Sequence, residues 1–294
     1  MKVSYYPGCT LKTKAANLDR TAVAALGALG VELEELPRWN CCGAVFSLAD
    51  DNLINLLAPV RDLIRVREQG ESRVLTACSM CYNTLARANL VMREDEEKRF
   101  TINSFMEEEP DYEGDVDVLH LLPFLRDELG WDAVREKVKV PLTGLKVAPY
   151  YGCTLLRPRD VAIESTDRPT LFNEFITALG AEPVSFPASV DCCSSYQMVS
   201  HPEEALNSAR HVLDSAKSHG AEALVSSCPL CEFNLGRKQE AMVKRDEGFQ
   251  GIPTYYFTQL LAVALGLEEK VCRFELNEPA SRELLDSRKF IKSA

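Results

Sequence analysis

Eleven cysteines, at positions 9, 41, 42, 78, 81, 153, 192, 193, 228, 231 and 272, dominate the chemistry open to this chain. The stretch RVLTACSMCYNTL (73–85) sets Cys78 and Cys81 as Cys-x-x-Cys directly after an apolar run. LVSSCPLCEFNL (224–235) repeats the arrangement 150 residues later at Cys228 and Cys231. Such a pair can hold zinc, join an iron–sulfur cluster or form a redox disulfide. Cysteines this dense in a reducing compartment serve metals or catalysis rather than structural cross-links. Structural zinc takes four ligands, whereas here each half of the chain offers five, two of them adjacent. Adjacent thiols chelate one ion poorly but can reach two irons of a cluster. A redox disulfide leaves the adjacent pairs unexplained. One iron–sulfur cluster per half is the favoured reading, with the other two left open.

The elements that must position these residues recur as well. KVSYYPGCTL (2–11) matches KVAPYYGCTL (146–155), and ALGVELEELP (28–37) matches ALGAEPVSFP (178–187). Then come Cys41-Cys42 against Cys192-Cys193, and VDVLHLLPFLRDELG against IPTYYFTQLLAVALG. A repeat of this length indicates a duplicated domain. We expect domains at 1–143 and 144–294, with the acidic stretch Arg93–Asp117 as a surface excursion of the first.

One copy reads as four strand–helix pairs. Lys2–Tyr6, Val31–Leu36 and Val74–Ala77 read as strands. Asn17–Gly30 and Tyr82–Val91 read as helices, and Leu53, Leu56, Leu57, Val60, Leu63 and Ile64 recur at helical spacing. In the second copy Pro202, Glu203 and Glu204 suit a helix start and Gly220 its stop. Tyr255–Leu267 reads as an apolar core helix. Alternating strands and helices imply an α/β fold: two duplicated Rossmann-like domains, each with a small, mainly parallel sheet flanked by helices. Loops at the carboxyl ends of parallel strands gather along one edge. Cys9, Cys41, Cys42, Cys78 and Cys81 should therefore meet, as should Cys153, Cys192, Cys193, Cys228 and Cys231. Helix starts after Cys78 and Cys228 favour thiolates there.

The order Cys-x31-Cys-Cys-Gly-x34-Cys-x-x-Cys, at Cys9, Cys41-Cys42-Gly43, Cys78 and Cys81, resembles the cysteine-rich CCG domain. Two copies in one chain of this length resemble the B subunit of heterodisulfide reductase, and YYGCTLLRP (150–158) is similar to that family's second-domain motif. The resemblance implies a disulfide oxidoreductase and a [4Fe–4S] cluster of the non-cubane kind on each five-cysteine set. It also implies that the disulfide, coenzyme M–coenzyme B or a relative, is cleaved between the two clusters. Electrons would come from the family's ferredoxin-like C subunit, fed by its flavin-containing A subunit. The second copy departs from the pattern: it reads Cys192-Cys193-Ser194, without the glycine, and its next gap is one residue shorter.

Lys12 and Lys14 after Cys9, with Arg157 and Arg159 after Cys153, could attract a small anionic disulfide. Their plain alternative is solvation, or pairing with Asp19 and Asp160. Tyr5, Tyr6, Tyr150 and Tyr151 read as packed strand residues. His120, His201, His211 and His219 lack metal spacing and read as structural or solvated. Cys272, outside both sets, reads as an unligated thiol.

A net charge of −11 disfavours nucleic acid as a partner. The apolar runs are too short to insert in a membrane, and MKVSYYPGCT lacks a signal peptide's features, which points to the cytoplasm. With no Gly-x-Gly-x-x-Gly fingerprint, electrons should come from a partner. Two other functions compete: an electron-transferring iron–sulfur subunit of a lactate- or glycolate-type oxidoreductase, and a zinc-stabilised assembly subunit without redox activity.

Overall fold

Short strands, each followed by a helix, pair in parallel, because a crossover helix returns the chain to the same end of the sheet. The computed structural model describes residues 1–45 and 52–291. The first repeat forms β1 (Lys2–Tyr5), α1 (Ala16–Ala28), β2 (Glu32–Glu35), α2 (Leu57–Glu68), β3 (Arg73–Thr76), α3 (Ser79–Glu94), α4 (Glu96–Phe105), β4 (Asp117–His120) and α5 (Leu121–Phe124). After α5 come a π-helical turn, Leu125–Leu129, and α6 (Trp131–Lys137). The second repeat forms β5 (Lys146–Pro149), α7 (Leu171–Ala178), β6 (Glu182–Pro183), α8 (Pro202–Ser218), β7 (Ala223–Ser226), α9 (Pro229–Glu232), α10 (Gln239–Arg245), β8 (Thr254–Tyr256) and α11 (Phe257–Ala264). The chain then adds α12 (Glu269–Cys272) and α13 (Pro279–Ser287).

The two sheets are β2-β1-β3-β4 and β6-β5-β7-β8, every pairing parallel. This is the α/β architecture expected from the alternation, with a crossover switch between β1 and β3 and again between β5 and β7. Cys9 follows β1 and Cys78 follows β3, so each switch point opens on cysteines. β6 keeps only two residues, and its Pro183 lacks a ladder donor, which only an edge strand tolerates.

Two expectations need correcting. Tyr255–Leu267 is not one helix: Thr254–Tyr256 pairs with β7 and the helix starts at Phe257. An apolar run has no period with which to separate the two. The acidic stretch 93–117 is more than a surface excursion. It holds α4 and buries Ile102, Met106, Tyr112 and Val116.

The last helix of each repeat packs on the first helix of the other. All eight residues of α11 are buried, and the helix lies along α1, with Thr258 Oγ1 2.6 Å from Thr21 Oγ1. Likewise α5 and α6 lie against α7, where Trp131 Nε1 donates to Glu174 Oε2 at 2.8 Å. Phe257 stands in the middle, its ring 5.9 Å from His120 of the first repeat and 5.7 Å from Phe175 of the second.

His120 is fully buried, and its Nδ1 accepts the Leu122 N–H at the start of α5. Burial holds its imidazole down at about 3. The folded value lies below the unfolded one of about 6.5, so stability is lost as pH falls from 6.5 towards 3. At pH 5 the loss should be about 2 kcal/mol. His120→Asn, which keeps an acceptor for Leu122, should flatten that part of the profile; urea midpoints at pH 7.5 and pH 5 measure it.

Candidate metal centre

Each repeat brings its five cysteines together through the same devices. Tyr6 Oη donates to the Asn40 carbonyl at 2.8 Å, and Tyr150 Oη to the Asp191 carbonyl at 2.7 Å. A buried tyrosine at the end of the first strand thus pins the residue before the adjacent cysteines in both copies. In the first copy Asp62 adds a hold on that turn, accepting the Asn40 N–H at 2.8 Å.

The sulfurs form strings of neighbours. Cys9 Sγ lies 3.3 Å from Cys41 Sγ, and Cys42 Sγ lies 3.7 Å from Cys81 Sγ. In the second copy Cys193 Sγ lies 3.6 Å from Cys231 Sγ. Cys41 adjoins Cys42, Cys78 adjoins Cys81, Cys153 adjoins Cys192 and Cys228 adjoins Cys231, completing both sets. Cys9 and Cys41 are exposed, Cys153 and Cys192 half-buried, the other six buried. Among the described residues no three His, Cys, Asp or Glu side chains close around a single ion.

Within each set protons are shared unequally. The Cys41 thiol, with Cys81 behind it, holds Cys42 well below the usual thiol range. Cys153 does the same for Cys192, bringing it down to about 6, helped by the Ser194 N–H 3.3 Å away. Cys41, Cys81, Cys153 and Cys231 are pushed up, first by the thiol beside each. Thiolate character is what metal ligation requires. Gly8, at φ +79°, leaves the room: a Cβ there would come within 2.7 Å of Cys81 Sγ. A five-thiol donor set under a glycine cradle fits a sulfur-ligated iron cluster.

The missing glycine of the second copy changes little in the backbone. Gly43 sits at φ +73° and Ser194 at φ +57°, both left-handed. Ser194 carries that strain, and its Oγ meets Ser208 Oγ at 3.1 Å. Ser194→Gly should relieve roughly 1 kcal/mol of strain and give up a hydroxyl bond worth about as much. Stability should therefore stay within about 1 kcal/mol of the parent. Ser194→Val, branched and without the hydroxyl, should lose about 2 kcal/mol. Urea midpoints separate the two.

The four cations part company. Lys12 pairs with Asp19 at 3.0 Å and Glu35 at 2.6 Å, its plain alternative. Arg157 Nη1 donates to the Val190 carbonyl at 2.9 Å, and Arg159 lines a polar cavity with Glu164 and Asp167. Lys14 stands at the mouth of a cavity of about 470 Å³ that both repeats line. Glu232, Phe233, Arg237 and Tyr256 also line it. Sequence reasoning missed them, although Cys81-Tyr82-Asn83 against Cys231-Glu232-Phe233 breaks the repeat visibly. A larger cavity, about 670 Å³, lies at Glu269, Phe274 and Arg282 and touches none of the ten cysteines. His201, His211 and His219 lie outside both sets. Cys272 is buried on α12, and burial raises its thiol to about 12.

The sets meet at their centre. The Ser79 N–H, beside Cys78, donates to the Ser227 carbonyl, beside Cys228, at 3.3 Å. The two Cys-x-x-Cys segments thus abut across the junction of the repeats.

The profile of the cysteine-rich domain, CCG, matches residues 3–86 and 147–236. The 8-methylmenaquinol:fumarate reductase membrane anchor subunit of Wolinella succinogenes is 34% identical, over 91% of this chain and 93% of that protein. The B subunit of the ferredoxin:CoB-CoM heterodisulfide reductase of Methanosarcina mazei is 30% identical, over 97% and 96%. A hypothetical protein from Helicobacter pylori shares the fold with a TM-score of 0.75 at 14% identity. The match spans 94% of this chain and about half, 51%, of that one. Among the described residues no helix is long and apolar enough to cross a membrane.

Proposed function

Because the chain belongs to the cysteine-rich CCG domain family and carries the domain twice, we propose that it is the iron–sulfur subunit of a disulfide-reducing complex of the heterodisulfide reductase B kind. The abutment of the two Cys-x-x-Cys segments at Ser79 and Ser227 carries this reading, because it brings both cysteine sets to one junction. Cys9, Cys41, Cys42, Cys78 and Cys81 would hold one [4Fe–4S] cluster. Cys153, Cys192, Cys193, Cys228 and Cys231 would hold a second, both of the non-cubane kind. The division at 143/144 belongs to the same proposal. Bound clusters would supply single electrons and iron sites with affinity for sulfur.

The chain's own residues do the rest. Cys42, Cys192 and Cys228 have thiol pKa values held low, first by neighbouring thiols, which favours the thiolate form that ligation needs. Lys14, at the cavity mouth, draws an anionic disulfide towards the junction. Electrons come from a ferredoxin-like subunit, itself supplied by a flavin subunit.

The relative from Wolinella supports a second reading, in which the same sets relay electrons from a quinol. One experiment tests both. The chain is purified anaerobically with its partners, and iron, sulfide and zinc are measured. Turnover is then assayed with a panel of disulfides and a reduced viologen as donor. Iron and sulfide at two-cluster stoichiometry with disulfide turnover is the expected result. Zinc alone would sink the cluster assignment, and clusters with quinol oxidation but no disulfide turnover would favour the relay.

A further inference from the structure

The first cysteine loop is anchored differently in the two repeats. After Cys9 the chain enters α1 at Ala16, whereas after Cys153 it runs through a short 3-10 turn, Arg159–Val161, and its next α-helix starts only at Leu171. The first loop also closes on itself. Thr13 Oγ1 donates to the Cys9 carbonyl at 3.0 Å, and the Ala15 N–H to the Thr10 carbonyl at 2.8 Å. In the second repeat Arg157 stands where the first has Thr13, and Pro158 where it has Lys14. Arginine has no hydroxyl with which to repeat the Thr13 bond.

The second loop takes its support from the other repeat. Asn83, on α3 two residues after Cys81, is buried. Its Nδ2 donates to the Thr154 carbonyl at 2.9 Å and to the Arg157 carbonyl at 2.7 Å. Tyr82 Oη adds a bond to the Val161 carbonyl at 3.0 Å. Thr154 directly follows Cys153, so Asn83 holds the backbone that carries that sulfur. Arg157 passes the hold on, its Nη1 donating at 2.9 Å to the carbonyl of Val190, two residues before Cys192. The help is not returned in kind. The counterpart of Asn83 is Phe233, whose side chain has no donor. Arg237 reaches the first loop at the Lys14 carbonyl, 2.7 Å away, just past the turn that Thr13 closes.

We propose that Asn83 is a positioning residue for the second cysteine set, so that the cluster site of the second repeat is completed by the first. The proposal rests on the reading above in taking each five-cysteine set as one cluster site. Groups that orient metal ligands from outside commonly change metal affinity by about 10- to 100-fold. A buried carbonyl stripped of its donor also bears the full cost of its lost solvation. The residue lies in the first repeat, yet its loss should be felt at the second set.

Asn83→Leu removes both donors at nearly the same size. The full chain is purified anaerobically with its partners, and release of iron to a chelator is followed in time. About half of the iron should leave roughly tenfold faster than in the parent, and the rest at the parental rate. Two backgrounds identify the halves. With Cys42→Ser, where the second set remains, Asn83→Leu should speed release; with Cys193→Ser, where the first remains, it should not. Asn83→Ala, which cannot crowd α3, should show the same split. Asn83→Gln, which keeps the amide, should hold iron better than either. A general loosening of the fold would speed both halves. That result, an unchanged release, or an effect confined to the first set would overturn the proposal. Iron, sulfide and zinc are counted in the parent. Zinc in place of iron would sink the cluster reading alone, since the brace would still be scored by whether only half of the zinc leaves faster.

Discussion

Cys42→Ser is expected to remove about half of the iron and sulfide, as it should if each thiolate set holds its own cluster, and nearly all of the disulfide turnover. Cys42 is buried, and its sulfur lies between those of Cys41 and Cys81. Serine would put a poorer, less acidic ligand at the centre of the string. Cys193→Ser should do the same to the second set, whose Cys193 meets Cys231 at 3.6 Å. Either loss should abolish turnover, because the proposed reaction needs both sets facing one junction. Cys272→Ala is the control: that thiol sits on α12, outside both strings, and iron should be unchanged. Iron, sulfide and turnover are measured on the same anaerobic samples. Substantial two-electron turnover in a chain missing one cluster would reduce that cluster to a relay or a structural site.

Phe257→Ala is expected to cost about 3–5 kcal/mol, the range for deleting a buried ring. The ring touches His120 on one side and Phe172 and Phe175 on the other, so its loss opens a void shared by both repeats. The exchanged helices also predict a single unfolding transition. Far-ultraviolet dichroism and tryptophan fluorescence should follow one urea curve. Trp39 reports beside Tyr6 in the first repeat, and Trp131 against Phe175 of the second. Two separated transitions would mean that each repeat stands alone, with Phe257 packing on one core only.

The convergence of five cysteines was legible because it follows from topology. Once Lys2–Tyr5 and Arg73–Thr76 are read as parallel strands, their following loops must share an edge, whatever side chains they carry. Helix ends were legible where local chemistry marks them, as with Pro202 at the start of α8 and Gly220 just beyond its end. The exchange of α11 and α5 was not. An apolar helix reads the same whether it packs on its own sheet or on its neighbour's, and nothing in FTQLLAVA names Thr21 as a partner. The brace at Asn83 was hidden for another reason. It arises from a difference between copies, Asn83 against Phe233, while the reading of a repeat attends to what is shared. Ser194 shows the converse: a visible departure in sequence that the backbone absorbs, at φ +57° where Gly43 has +73°.

The exchanged helices impose an order on how the chain is made. On the ribosome the first repeat's four strands and α5 are made by Phe124, but the face of α1 that α11 covers stays bare until Ala264 emerges, about 140 residues later. At about 5–20 residues per second that delay is roughly 7 to 28 seconds. Through it the nascent chain holds five reduced thiols on an unfinished core, with Cys9 and Cys41 on its outside. Iron delivery before release would meet a half-built cradle. Maturation should therefore follow translation, and a nascent chain arrested before residue 257 should retain little or no iron.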